Sequence, residues 1–253
     1  MRHIRITFGL AVTACAFAVV AAPALATPVF KAYSTATPPQ EYSVAEPGVT
    51  KGVQTTEQNF DFGGMVIKCT KAAAKGKVTW KSSKTFATEV KFAGCSTIAH
   101  EGPGKELLLA TNFRSPVDFV FHANGFAENG TEFEAGEVGI SGGTAEMHIS
   151  GVRHKCIMGW PSQTIPVRAE KHPEEEFSAV EYPFPNEYPR PGDKKQFPSG
   201  FQQRLLISSE LRHLKWEVVE GCENFEKTEG NVGNYIGSIE EQVIGGNLEI
   251  GSE

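Results

Sequence analysis

The run GISGG, Gly139 to Gly143, satisfies G-x-S-x-G around Ser141. A hydrolase uses that pattern to hold a nucleophilic serine on a strained strand-to-helix turn beside an oxyanion site. The residues that follow, TAEMHISGVRHKC, alternate as a strand does. The spacing therefore predicts a β-hairpin turn, in which Gly supplies positive φ and Ser is ordinary. Ser141, Glu146 and a later histidine stand in the right order for a triad, but almost any chain offers that much. No catalytic residue is assigned. His148, His154 and Cys156 lie on one face of a candidate strand, yet six residues of straight strand span about 20 Å, too far for two imidazoles to share an ion. There is no H-E-x-x-H and no C-x-x-C, so neither metal nor cofactor is expected. Glycoside hydrolysis needs two carboxyls held several ångströms apart across a cleft. Asp118, Glu132, Glu134, Glu146 and the run Glu174 to Glu176 are available for it, and spacing does not place them. The acidic run reads most simply as a solvated loop.

The binding candidates are Tyr182, Phe184 and Tyr188 in EYPFPNEYPRP, where prolines hold the backbone stiff and extended. Rigid aromatics on a loop suit carbohydrate or peptide contact because ordering them costs little entropy. The competing reading folds these rings back as a lid on the core, and the rarity of exposed large aromatics favours it.

The cysteines depend on where the chain goes. MRHIR is basic, and the apolar stretch from Ile6 ends in Ala24-Leu25-Ala26 after Pro23. That pattern predicts a signal peptide over 1–26, with cleavage after Ala26. Two alternatives are a lipid on Cys15, since Val12 to Cys15 fits a lipobox, and an uncleaved anchor. Cleavage removes Cys15 and leaves Cys69, Cys95, Cys156 and Cys222, an even number for an oxidising compartment. It also leaves 22 basic and 30 acidic residues, a net charge of −8. That balance argues against nucleic acid as a partner. No later stretch is apolar enough to span a bilayer. The expected partner is an extracellular ligand of the glycan or cell-wall kind.

Stepping along the chain, period-two patterns dominate. Phe86, Thr88, Val90 and Phe92 fall on one face, as do Val117, Phe119 and Phe121, and TAEMHISG and GNYIGSIEEQVI alternate similarly. Gly63-Gly64, Asn124-Gly125, Asn129-Gly130, Gly142-Gly143 and Gly245-Gly246-Asn247 supply turns between them. The expected fold is all-β, an antiparallel β-sandwich or partly open barrel with little helix. Ile207 to Leu214 fits a helical turn or a strand. Residues 27–57 read as an extended N-terminal segment and 58–253 as the β-sandwich region. A proline-rich surface excursion is expected at 171–200.

A faint repeat divides that region into 58–135 and 136–253. Each half reads Lys-Cys, Trp-x-Ser, Thr-apolar, strand, Gly-Cys, from Lys68-Cys69 to Gly94-Cys95 and from Lys155-Cys156 to Gly221-Cys222. The alternating faces before the two Gly-Cys pairs are one residue out of phase, which needs a bulge to absorb it. Four cysteines allow three pairings and spacing does not choose among them. The repeat favours Cys69–Cys95 and Cys156–Cys222.

The signal segment, IKCTKAAAKGKVTW leading to EVKFAGC, CIMGWPSQTIPV, FPSGFQQRL and GNYIGSIEEQVIGGNLEI together resemble a family of uncharacterised secreted proteins from soil actinobacteria. The resemblance implies export and an all-β fold and brings no activity with it. The expectation is a secreted, disulfide-stapled protein of structural or binding character. The alternative is a secreted polysaccharide hydrolase using paired carboxylates.

Overall fold

The computed structural model describes residues 28–36, 40–100, 106–123, 136–148, 155–168, 178–182, 204–222 and 232–252. The signal segment, His154, Phe184, Tyr188, Glu132, Glu134 and the run Glu174 to Glu176 lie outside them. The described residues contain no helix, and so none long and apolar enough to cross a membrane. In chain order the strands are β1 (Pro28–Ser34), β2 (Gly48–Gln54), β3 (Gln58–Phe62), β4 (Met65–Val78), β5 (Ser82–Ser83) and β6 (Thr85–His100). Next come β7 (Glu106–Phe113), β8 (Val117–His122), β9 (Gly136–Ile140), β10 (Gly143–His148), β11 (Lys155–Trp160) and β12 (Gln163–Arg168). The last are β13 (Ser178–Glu181), β14 (Leu205–Lys215), β15 (Glu217–Glu220), β16 (Val232–Val243) and β17 (Gly246–Ser252). The expected all-β fold is present, and Ile207 to Leu214 is strand.

The pairings arrange these strands in two tiers that share long strands. In the lower tier hydrogen bonding runs without a break through β2, β4, β6, β8, β9, β12, β13, β14 and β16, then back to β2. All these pairings are antiparallel except β12 with β13. In the upper tier β3, the first part of β4 and the last part of β6 lead through β7, β10 and β11 to β15. Full closure removes exposed edges, which is how a large antiparallel sheet avoids pairing with other chains. β1, β5 and β17 form a separate small sheet, and Phe30 of β1 packs on Phe86 and Tyr182 of the lower tier.

Where β4 and β6 pass from one tier to the other, both change face at the same level. On β4, Met65, Ile67 and Cys69 are buried, then Ala72 and Ala74; on β6, Phe92 is buried, then Cys95 and Thr97. The register does not slip, because Lys71 faces Ala93 and Cys69 faces Cys95. Gly94 makes this turn with left-handed backbone, φ 61°, and its carbonyl accepts a 3.2 Å hydrogen bond from the Thr70 hydroxyl. An L side chain is strained there. This corrects the view of Gly94-Cys95 as the end of a strand: left-handed glycine redirects the strand, and β6 continues to His100.

Both favoured disulfides are present, Cys69–Cys95 with Cα atoms 4.0 Å apart and Cys156–Cys222 at 4.6 Å. The structural settings of the two motifs differ, however. Trp80 is half-buried in the turn after β4, whereas Trp160 ends β11 inside a ring cluster. Strands from 58–135 and from 136–253 share the lower tier, so the two parts are knit into one sheet.

Two segments differ from expectation. Residues 28–34 and 48–54, placed outside the sandwich by their Pro, Thr and Ser content, are β1 and β2, and Phe30, Thr50 and Ala32 are fully buried. The excursion at 171–200 is interrupted by β13, whose short apolar run puts Ala179 and Val180 in the core. Tertiary pairing overrides composition in both.

Candidate binding face

The serine motif links β9 to β10, which do not pair with each other: β9 pairs with β8 and β12, and β10 with β7 and β11. The expected hairpin is therefore not formed, and because a strand follows the serine the motif is not an elbow either. Ser141 Oγ accepts the Asp118 amide at 2.8 Å, and Trp160 Nε1 donates to the Ser141 carbonyl at 3.0 Å. Neither Gly142 nor Gly143 has positive φ, which corrects the expected turn chemistry. Gly143 is required for space, since a Cβ there would strike the Trp160 ring.

The metal candidates separate. His148 and Cys156 are on neighbouring strands, not one strand; His148 is exposed and Cys156 is buried in its disulfide. Among the described residues no group of three His, Cys, Asp or Glu could hold an ion. Tyr182 is in the core, 4% exposed, with its hydroxyl donating to the His122 carbonyl at 2.9 Å and its ring edge-on to Phe30. Burial pushes its phenol far above the ordinary range. Tyr182 is therefore a core residue, carried inward by the apolar run of β13, while Phe184 and Tyr188 lie outside the described residues.

The carboxylates sort by environment. Glu146 is gripped by Arg114, at 2.9 and 2.7 Å, with Lys155 and His148 nearby. The Arg114 hydrogen bonds hold its carboxyl below the usual range, more than offsetting partial burial, and Lys155 adds to the effect. A glycosidase acid needs the opposite shift. Asp118 is the cross-strand neighbour of Glu89, and both project from the same face of the sheet.

Glu241 is a carboxyl that motif reasoning passed over. It sits on β16, fully buried, opposite Gly52, and a Cβ on Gly52 would meet its Cγ. Burial raises its pKa to about 7; the hydroxyls of Thr88 and Thr50 pull the other way without good hydrogen-bond geometry. The signal lay in the alternation itself, since Glu241 is in phase with Tyr235 and Ile239. It points into the core, and neither carboxyl oxygen has a hydrogen-bond partner.

The distinctive surface is the outer face of β2, β4 and β6. Lys51, Lys71, Lys75, Lys77 and Lys91 project there, because strand alternation puts them opposite the buried Gly52, Ala72, Ala74 and Phe92. Lys75 pairs with Glu89 at 2.9 Å. Among the described residues the other four make no ion pair. Lys51 and Lys75 are direct cross-strand partners, an arrangement that costs stability between like charges. Two grooves open on this face. One of about 390 Å³ is lined by Lys75, Glu89, Lys91, Phe113, Arg114 and Pro116. The other, about 510 Å³, is lined by Val49, Lys75, Lys77, Thr88, Glu89 and Asp118. KAAAKGK puts Lys71, Lys75 and Lys77 in phase on one side of β4, but the face itself is assembled only by the pairing of β4 with β2 and β6.

No family model and no curated protein matches the chain. One solved structure, an enduracididine biosynthesis enzyme, MppR, complexed with pyruvate, aligns over 80% of this chain and 90% of its own at 10% identity, with a TM-score of 0.17. At that score it carries no argument about fold or function.

Proposed function

We propose that the protein is an exported, non-catalytic binding protein of the extracellular space or cell envelope, and that the outer face of β2, β4 and β6 is its contact surface. The observation that carries this reading is a grooved face bearing five lysines on a chain of net charge −6. Lys51, Lys71, Lys77 and Lys91 make no ion pair among the described residues, which leaves cations on this face for a ligand to neutralise. Export draws support from the signal pattern ending at Ala26 and from two disulfides, which persist in oxidising compartments.

The test is a glycan and cell-wall array probed with the exported protein, whose intact mass is expected to correspond to a start at Thr27. Wild type is expected to retain at least one ligand that the exposed-face variant Lys75→Glu releases. Hydrolytic turnover of any retained glycan, or retention unchanged by Lys75→Glu, would overturn the reading.

A further inference from the structure

We infer that the ligand of this face is a linear acidic polysaccharide lying along the two grooves; this rests on the binding-face reading above. The grooves share Lys75 and Glu89 as lining residues, so they form one track and not two isolated pits. Along the track Lys77, Lys75 and Lys91 offer cations, with Lys51 flanking; Lys75 shares its charge with Glu89, and Arg114 is held by Glu146. Successive outward lysines on one strand are about 7 Å apart and cross-strand neighbours about 5 Å. A chain bearing charge at intervals meets several of them at once, whereas a small anion occupies one.

The acids in the track narrow the class. Glu89 and Asp118 line it beside the lysines. They would repel a densely charged polyanion such as duplex DNA, with about one charge per 1.7 Å of axis. Toward a sugar they act as acceptors for hydroxyl groups, while lysines meet the scattered carboxylates. Pro116 and half-buried Phe113 give the first groove an apolar wall for the C–H faces of sugar rings. The concavity disfavours a bilayer, which is flat and meets what protrudes.

The experiment measures binding of the exported protein to polygalacturonate, its fully methyl-esterified form, dextran, phosphatidylglycerol vesicles and duplex DNA, at low and high salt. Polygalacturonate is expected to bind tightest, with the esterified form and dextran weaker by about tenfold or more, and added salt weakening the acidic glycan by a similar factor. Lys75→Glu with Lys91→Glu is expected to lose about tenfold or more, with Lys215→Glu, away from the face, unchanged. Both variants alter exposed side chains, and an unchanged near-ultraviolet circular dichroism spectrum confirms their folding. Equal binding of the esterified form, lost in the double variant, would overturn the acidic class while leaving the binding face standing. Tighter binding of vesicles or DNA would overturn the polysaccharide. Binding of polygalacturonate untouched by the double variant, or no binding to any probe, would overturn both the inference and the face.

Discussion

The two tiers share β4, β6 and β16 but are held together differently. The upper tier is filled with aromatic rings: Phe60 lies within 6.5 Å of Phe62, Phe92, Phe113, Trp160 and Tyr235, measured between ring centroids. Both disulfides belong to it, Cys69–Cys95 at its junction with the lower tier and Cys156–Cys222 at its far side, joining β11 to the second residue after β15. The lower tier has no disulfide among its described residues. Its β2–β4–β6 wall is lined with small and polar side chains, where Val243–Thr50–Gly76 and Thr88–Phe119 lie beside the row Glu241–Gly52–Ala74–Val90–Val117. It is closed by backbone pairing and by the small sheet over Phe86 and Tyr182. Redox conditions should therefore act on the upper tier and pH on the lower.

The largest effect is expected from the disulfides. Cys156–Cys222 spans 66 residues and Cys69–Cys95 spans 26. On the loop-entropy account, removing the first by paired alanines costs about 4 kcal/mol and the second about 3.5 kcal/mol. Urea unfolding of the two double variants checks the order, and a greater loss at Cys69–Cys95 would break the link between loop length and stability in this fold. Non-reducing peptide mapping is expected to find no free thiol in the exported protein.

Glu241 governs the lower tier through pH. Its folded pKa of about 7 is raised above the usual 4.5 by burial, so between those values the folded state binds a proton that the unfolded chain releases. This term's stability is complete below about pH 4.5 and is lost as pH rises through 7. The shift corresponds to about 3 kcal/mol. Glu241→Gln, which cannot ionise, is expected to raise stability by up to that amount above pH 7 and to lose the advantage at pH 4.5. Thermal unfolding across pH reads it; an advantage independent of pH would show that Glu241 is not the group responsible.

A smaller effect separates the two Gly-Cys pairs. Gly94 and Gly221 both have left-handed backbone, φ 61° and 69°, and each turns the following cysteine inward. A Cβ at Gly94 would press on the Thr70 hydroxyl, whereas one at Gly221 would strike the Lys155 backbone carbonyl. A hydroxyl can rotate away and a strand backbone cannot. Gly94→Ala is expected to cost about 1–2 kcal/mol, the left-handed penalty alone, and Gly221→Ala about 3 kcal/mol. Equal losses in urea unfolding would mean that the neighbours do not matter.

The alternation of Phe86, Thr88, Val90 and Phe92 and of Val117, Phe119 and Phe121 was legible because period two is a local property of strands facing a core. The cysteine pairing was legible only through the repeat of Gly-Cys, and it emerged in two unlike structural settings. The change of buried face at Gly94, from Phe92 to Cys95, is marked in the sequence by a glycine, but Gly221 has the same left-handed backbone, so the glycine alone does not set the phase offset between the copies. The lysine face was not legible. Lys51, Lys75 and Lys91 are far apart in the chain, and only the registers of β2–β4 and β4–β6 bring them together. Tyr182 admitted two readings from sequence, a loop contact or a ring folded back on the core, with the second favoured, and only the placement of β13 puts the ring in the core. By itself the sequence determined strand character, the inward and outward faces of each strand, and the oxidisable cysteines, because these depend on neighbours a few residues away. Tertiary structure alone decided which outward faces adjoin and which carboxyl is buried, because those depend on pairings between residues far apart in the chain, such as Gly52 with Glu241.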